Sequence, residues 1–212
     1  MTADIHHTVE ALVLARQIAS YARSRGFDEV ADHCRPASNH LGAALADSIL
    51  QAGLNYDTVV RARVERIVKL FPQAACMSGI VAIIRQGATS DFLMWKHPTK
   101  IGRFIDLALL LQENGVTEAA ELRHWLQKKS SRGKLLGISG VGPKTVDYLA
   151  CLVGVDCIPI DRHVRMFAQD AGVRVENYDS LKLAFSYAAD LLEISRRNFD
   201  RWIWQTARQF SA

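Results

Sequence analysis

Cysteine is scarce in this chain, and its spacing suggests no pairing. The four are Cys34, Cys76, Cys151 and Cys157, with no C-x-x-C pair among them. That excludes a disulfide framework and a four-cysteine metal site, and reduced cytosolic thiols are the plain reading. Long apolar runs are missing too: none approaches the about 18 residues of a membrane span, so no membrane association is expected. The opening MTADIHHTVE has no basic segment feeding an apolar one, so no secretory signal is expected. Alternating strand patterns are absent apart from two short candidates, CIPI (Cys157–Ile160) and VRV (Val173–Val175). No repeat, low-complexity tract or Gly/Ser-rich linker divides the chain, so any lobes must pack against each other. A strong charge of either sign is also absent. Lys+Arg 26 against Asp+Glu 22 leave +4, which permits a polyanion partner without establishing one.

What the chain does have is enough apolar sequence for a core, 49% of 212 residues, and helical periodicity almost throughout. Val9, Leu12, Val13, Ile18 and Ala19 stripe a first helix. Leu41, Leu45, Ile49 and Leu50 stripe a second, and Val60, Val64, Ile67 and Val68 a third that Pro72 stops. Pro98 opens a helix carrying Ile101, Ile105, Leu109 and Leu110 that ends near Gly115. Thr117 is the expected N-cap of the helix with Leu122 and Leu126. Asp179 or Ser180 caps one with Leu181, Phe185 and Leu192, and a last helix carries Phe199, Trp202, Ile203 and Phe210. The fold class is all-α, with about ten helices and short loops.

One segment is specified more tightly than a turn requires: LLGISGVGPKTVDYLACLVGVDCIPIDRHVRMFA, from Leu135. Ile138-Ser139-Gly140-Val141-Gly142 joins a short apolar helix to another that Pro143 opens. Gly140 and Gly142 take positive φ at little cost and leave the backbone unshielded. Pro143 fixes φ at the first helical position, where its missing N–H needs no partner. The N–H groups of such a helix start can point at a phosphate, positioning it without reading a base. Asp161 is placed to cap the helix Arg162–Asp170.

These residues resemble the helix-hairpin-helix motif of the HhH-GPD superfamily of DNA glycosylases, which includes endonuclease III and the 8-oxoguanine glycosylases. ISGVGPKTV is similar to the family's Leu-Pro-Gly-Val-Gly-x-Lys-Thr-Ala, and PIDRHVRM to its Val-Asp-x-His-Val-x-Arg. The resemblance runs from about residue 41 to 172. It implies a two-lobed all-α fold: a central domain, 41–171, with the hairpin at 135–154, and a second lobe formed by 1–40 and 172–212. The site would lie in the cleft between them. It implies a base-excision-repair enzyme with associated AP lyase activity on damaged bases in duplex DNA. Oxidised bases are favoured, because lysine-bearing members favour them.

On this resemblance Lys144 attacks C1′ of the damaged nucleotide, and Asp161 assists and stabilises positive charge on the sugar. Burial at a helix start is expected to depress the Lys144 ammonium, since the nucleophile must be deprotonated. Gly140, Val141, Gly142 and Thr145, with Lys134, are the candidate phosphate contacts. Gln51, Leu54, Asn55 and Tyr56 are wedge or pocket candidates, with Leu54 at the wedge position in an ungapped alignment. Trp204 joins them from FDRWIWQTARQF, which resembles an Asp-x-x-x-Trp segment of some glycosylases. A helix would turn Trp202 and Trp204 about 200° apart, one to the core and one outward. The relatives' iron–sulfur loop is excluded, since no cysteine follows Cys157. No cofactor is expected beyond a structural monovalent cation on the hairpin backbone near Ile138 and Gly140. A cytoplasmic monomer, nucleoid-associated if bacterial, completes the expectation.

Read alone, the residues keep other possibilities open. A Gly-Val-Gly turn also serves non-enzymatic DNA-binding hairpins, and Asp161 has a purely capping role available. His163 reads as a packing or hydrogen-bonding residue and Arg165 as a core salt-bridge partner. Arg61, Arg63, Arg66 and Lys69 form one basic cluster, and Lys128, Lys129, Arg132 and Lys134 form another that leads into the hairpin. His33, Cys34 and His40 are an incomplete metal set. A glycosylase using water, with Lys144 only a phosphate contact, a binding module without chemistry, and a structural or partner-binding helical protein are the rivals.

Overall fold

The computed structural model describes residues 2–27 and 37–209, with side chains from 8 to 27 and 37 to 207. His33, Cys34 and Phe210 lie outside these. Among the described residues there are twelve α-helices and no strand. Cys157–Ile160 and Val173–Val175 form no strand, and Cys76 and Glu118 form an isolated antiparallel bridge. No helix is long and apolar enough to cross a membrane.

The chain forms two compact units, Pro36–Val155 and the two ends Met1–Arg35 with Asp156–Ala212. The division falls at 155/156, earlier than the expected 171/172, so Asp161 and the helix that it opens belong with the ends.

The central unit contains α2 (Leu41–Leu50), α3 (Arg61–Leu70), α4 (Met77–Arg85), α5 (Thr89–Leu93), α6 (Pro98–Glu113), α7 (Ala119–Trp125), α8 (Lys129–Leu136) and α9 (Pro143–Leu152). A π-helical turn at Tyr56–Val60 and a 3₁₀ turn at Pro72–Ala75 flank α3. All ten residues of α2 are buried, as an all-round apolar helix requires, and α3, α4, α6 and α9 pack around it. His40 caps its start: the Ala43 N–H donates to Nδ1 at 3.1 Å. That leaves the ring proton on Nε2, 3.0 Å from the Phe71 carbonyl.

Two expectations are corrected in this unit. In α6 the buried face is Phe104, Leu107, Ala108 and Leu111, while Leu109 is exposed. This i, i+3, i+4, i+7 set runs beside the predicted one, because the larger aromatic at 104 sets which face turns inward. The N-cap of α7 is Glu118 rather than Thr117, whose N–H and hydroxyl donate instead to the Glu121 carboxylate at 2.6 Å.

The terminal unit contains α1 (Thr2–Ser24), α10 (Arg162–Asp170), α11 (Tyr178–Leu191) and α12 (Arg196–Gln209). Phe27, Phe167, Phe185, Phe199 and Trp202 form its aromatic centre. The first helix departs from expectation. Ala11, Ala15, Ile18, Ala19 and Ala22 are buried, whereas Val9 and Val13 are 52% and 53% exposed. The reason lies in the partner: α1 packs on α11, which presents Ala184, Ala188 and Ala189. Small residues on both sides permit close approach, so the larger Val9 and Val13 face outward. Asn177, not Asp179 or Ser180, caps α11; its Oδ1 accepts from the Ser180 N–H at 3.0 Å.

Candidate active site

The hairpin is α8, the turn Ile138–Gly142, and α9. Leu135, Ile138 and Val141 bury their side chains, and the Val141 N–H donates to the Ile138 carbonyl at 3.0 Å to close the turn. Gly140 has φ +78°. It is also crowded: a Cβ there would fall 2.0 Å from Nη2 of Arg103, whose Nε donates to the Ser139 carbonyl at 3.0 Å. The positive φ is what calls for glycine at this position, since the Arg103 guanidinium is the movable end of a long side chain. Gly142 is different. Its φ of −99° is open to any residue, and a Cβ there would meet nothing within 4 Å, so the expected positive φ is corrected. Pro143 opens α9, with no side chain capping its first N–H groups. Thr145 is 8% exposed, its N–H taken by the Gly142 carbonyl, so the outward atoms of the turn belong to Ser139, Gly140 and Pro143.

Lys144 follows on the first turn of α9, half-buried. Nζ donates to Oε1 of Gln51 at 2.5 Å and lies 5.9 Å from the Tyr148 ring centroid, one helical turn on. Gln51 stands just past α2, and its Nε2 donates to the Ser48 carbonyl at 3.3 Å. The Tyr148 hydroxyl donates to Asp47 Oδ1 at 3.0 Å and the Tyr56 hydroxyl to Oδ2 at 3.3 Å. Asp47 is 2% exposed, so each oxygen of a buried carboxylate is satisfied by a phenol.

A cation stands beside this group. Lys100 of α6 donates Nζ to the carbonyls of Ile49, Leu50 and Ala52 at 2.8, 3.2 and 2.7 Å. Its ammonium is held below the usual lysine range, first by burial and then by the like charges of Arg103 and Lys144.

The sequence reading did not single out Lys100, Arg103, Asp47 or Tyr148. Asp47 did leave a signal, a lone carboxylate inside an otherwise apolar helix. Tyr148 left another, four residues from Lys144 and therefore on its face.

The wedge candidates have occupations of their own. Asn55 is exposed and caps the π turn, Oδ1 accepting from the Thr58 N–H at 3.0 Å. Tyr56 is pinned to Asp47 beneath the Arg61 guanidinium. Leu54 is half-buried.

In the terminal unit Asp161 caps α10. Oδ1 accepts from the N–H groups of His163 at 2.8 Å and Val164 at 3.0 Å. Both cap bonds fall on one oxygen, and Oδ2 accepts none within the described residues. His163 Nε2 accepts from Arg162 Nε at 3.2 Å, and its buried Nδ1 has no hydrogen-bond partner among the described residues. Arg165 donates to the Glu176 carbonyl at 3.2 Å rather than to a core carboxylate. Trp202 is core and Trp204 half-exposed, as the helical angle predicts.

The basic clusters separate. Arg63 donates to the carbonyls of Val59 and Met94, Arg66 to that of Asp91, and Arg61 pairs with Asp57. This first cluster braces its own unit. In the second, Arg132 pairs with buried Asp147 of α9, while Lys128, Lys129 and Lys134 are exposed, with Lys134 donating to Asn114 at 2.5 Å. No group of three His, Cys, Asp or Glu side chains comes together among the described residues, and His40 of the weak metal set is the α2 cap.

Two arrangements result. One is a half-buried lysine at a hairpin helix start, in a neighbourhood of tyrosines, an amide, the buried Asp47 carboxylate and two further cations. The other is a capping carboxylate with one oxygen to spare. Comparison of the chain with family models, with curated proteins and with solved structures returns no match.

Proposed function

We propose that this chain is a DNA glycosylase of the HhH-GPD kind with AP lyase activity, acting on oxidised bases in double-stranded DNA. The observation that carries the reading is the placement of Lys144. Its amine stands at the first turn of α9, immediately after a glycine-bearing turn suited to a phosphate, and its Nζ is held by the neutral Gln51 amide. A nucleophilic amine needs a fixed direction toward the carbon it attacks.

In the proposed reaction the amine nitrogen bonds to C1′ of the damaged nucleotide. The glycosidic C1′–N bond breaks, its electrons leave with the base, and the nitrogen sheds its proton. Positive charge on the sugar is met by the carboxylate of Asp161, whose Oδ2 is not used in capping. Ring opening gives a Schiff base between Lys144 and C1′. Loss of a C2′ proton then expels the 3′ phosphate, which is β-elimination. Exposed Ser139, Gly140 and Pro143, with Lys134, make the phosphate-facing edge.

The test is borohydride trapping on duplexes carrying an oxidised purine, an oxidised pyrimidine, uracil, an alkylated base or an abasic site. A covalent protein–DNA adduct that disappears in Lys144→Ala is expected. Base release without any adduct would replace the lyase by a water-using glycosylase. Salt-dependent duplex binding with no base released from any lesion would leave a binding module.

A further inference from the structure

Arg103 of α6 reaches the hairpin turn from 36 residues before Ser139. Its Nε donates to the Ser139 carbonyl at 3.0 Å, and the guanidinium occupies the space that a side chain at 140 would take. A Cβ on Gly140 would fall 2.0, 2.1 and 2.3 Å from Nη2, Cζ and Nε. Three atoms at nearly one distance mean that the group lies flat across the glycine. The outward face of the turn therefore carries a held cation as well as backbone. One of the five N–H donors of the guanidinium is used on Ser139, and among the described residues its Nη groups donate to nothing. We propose that Arg103 is the phosphate-binding residue of the hairpin, its two Nη groups receiving a backbone phosphate of double-stranded DNA.

This deepens the proposed function and rests on its DNA-binding half alone, not on the chemistry of Lys144. The arginines of the two basic clusters are matched inside the unit. Arg61 pairs with Asp57 and Arg132 with buried Asp147, while Arg63 and Arg66 donate to carbonyls and lie over the rings of Trp95 and Phe71. Arg103 is different. Among the described residues no carboxylate pairs with it, and the charge beside it on α6 is another cation, Lys100. One bond to a neutral carbonyl fixes the direction of the group without neutralising it. An anion at the turn does both remaining things: it balances neighbouring positive charge, and it accepts the paired N–H groups in the bidentate geometry that guanidinium and phosphate share. Exposed Ser139, Gly140 and Pro143 make this an open edge, which suits a phosphate carried by a polymer with further contacts better than a free ion. A contact of this kind positions the duplex without reading its sequence.

Two substitutions separate charge from anchoring. Arg103→Gln removes the charge and keeps an N–H donor for Ser139, whereas Arg103→Lys keeps the charge without the fork. Affinity of the full chain for a duplex carrying a reduced abasic analogue, which cannot react, is measured by fluorescence anisotropy across a range of KCl concentrations. In Arg103→Gln the slope of log affinity against log salt is expected to fall in magnitude by about 0.9, and the affinity at about 0.1 M salt by about tenfold. Arg103→Lys should keep the wild-type slope. A residue that only pins the turn would weaken binding by one factor at every salt concentration. Parallel slopes for wild type and Arg103→Gln therefore overturn the proposal and leave the DNA reading standing. The wild-type chain supplies a second measurement that depends on no variant: modification of arginine by butanedione, read at residue 103 by mass spectrometry. The duplex should protect Arg103, and inorganic phosphate at the same phosphorus concentration should not. Equal modification with and without duplex overturns the proposal, as does equal protection by inorganic phosphate, which would make the ligand a free phosphate. A wild-type chain that binds no duplex at any salt concentration sinks the DNA reading and this contact with it.

Discussion

The two units bury different chemistry. In the terminal unit the centre is five aromatic rings in mostly edge-on contact, and Asn198, in the first turn of α12, is the buried polar residue among those described. In the central unit Asp47, Ser48, Thr89, Ser131, Thr145 and Asp147 are buried, and Lys100 brings an ammonium to the end of α2. An apolar core of the first kind is stable with little demand on direction. A core of the second kind depends on each polar partner being in place, and it fixes side chains in orientation. That difference argues for the central unit as the seat of precise positioning, while in the terminal unit Asp161 is the cap at the head of α10.

The contrast can be broken where the expected effect is largest. Phe199 is fully buried among Phe27, Phe167, Phe185 and Trp202. Phe199→Ala should lose about 4 kcal/mol in urea denaturation. A loss below about 1 kcal/mol would mean that the aromatic centre is not what holds that unit. Next come two ion pairs of unlike burial. Asp147, 4% exposed, meets Arg132 and ties α9 to α8; Asp147→Ala should cost about 3 kcal/mol, because it strands a guanidinium against the hairpin. In the terminal unit Asp190, 52% exposed, meets Arg196 at 2.8 Å, and Asp190→Ala should cost at most about 0.5 kcal/mol. Equal losses from the two would remove burial as the variable that distinguishes the units.

Turn chemistry is the legible part of this molecule. The positive φ at Gly140, Pro143 at the helix start and the Asp161 cap are dictated by residues a few positions apart, and they stand where the pattern puts them. The stripe on α1 is misleading because helical spacing gives a face but not which neighbour it meets. Only the alanines of α11 explain why alanine, and not valine, turns inward. The site is half legible for the same reason. Lys144 carries a local motif, whereas Lys100 and Asp47 matter through α2, α6 and α9 meeting in space, and no spacing along the chain records that.

Asp161 offers a smaller and sharper break, because its two roles respond to different substitutions. Asp161→Ala removes the cap and should cost about 1 kcal/mol, whereas Asp161→Asn retains a good capping side chain and should leave the denaturation midpoint nearly unchanged. On the proposed chemistry both variants lose the carboxylate and slow base release alike. If Asn released base at the wild-type rate, Asp161 would be a cap alone.

The smallest effect concerns the cap of α2, and here pH is the probe. Burial holds the His40 ring below the usual histidine range, against the opposing pull of the Phe71 carbonyl. Protonation adds a proton at Nδ1, the atom that accepts the Ala43 N–H, so the charged ring cannot keep the cap. The sign follows from the lowered value. The unfolded chain binds this proton more readily than the folded one, so the contribution is complete above about pH 6.5 and is lost as pH falls through the folded value. The denaturation midpoint should therefore decline modestly from pH 7 to pH 5, and His40→Asn, which caps without titrating, should flatten that part of the decline. A variant whose midpoint falls in parallel with the wild type would place the acid sensitivity elsewhere, and would leave the central unit's dependence on α2 resting on its other end, where Lys100 holds the carbonyls.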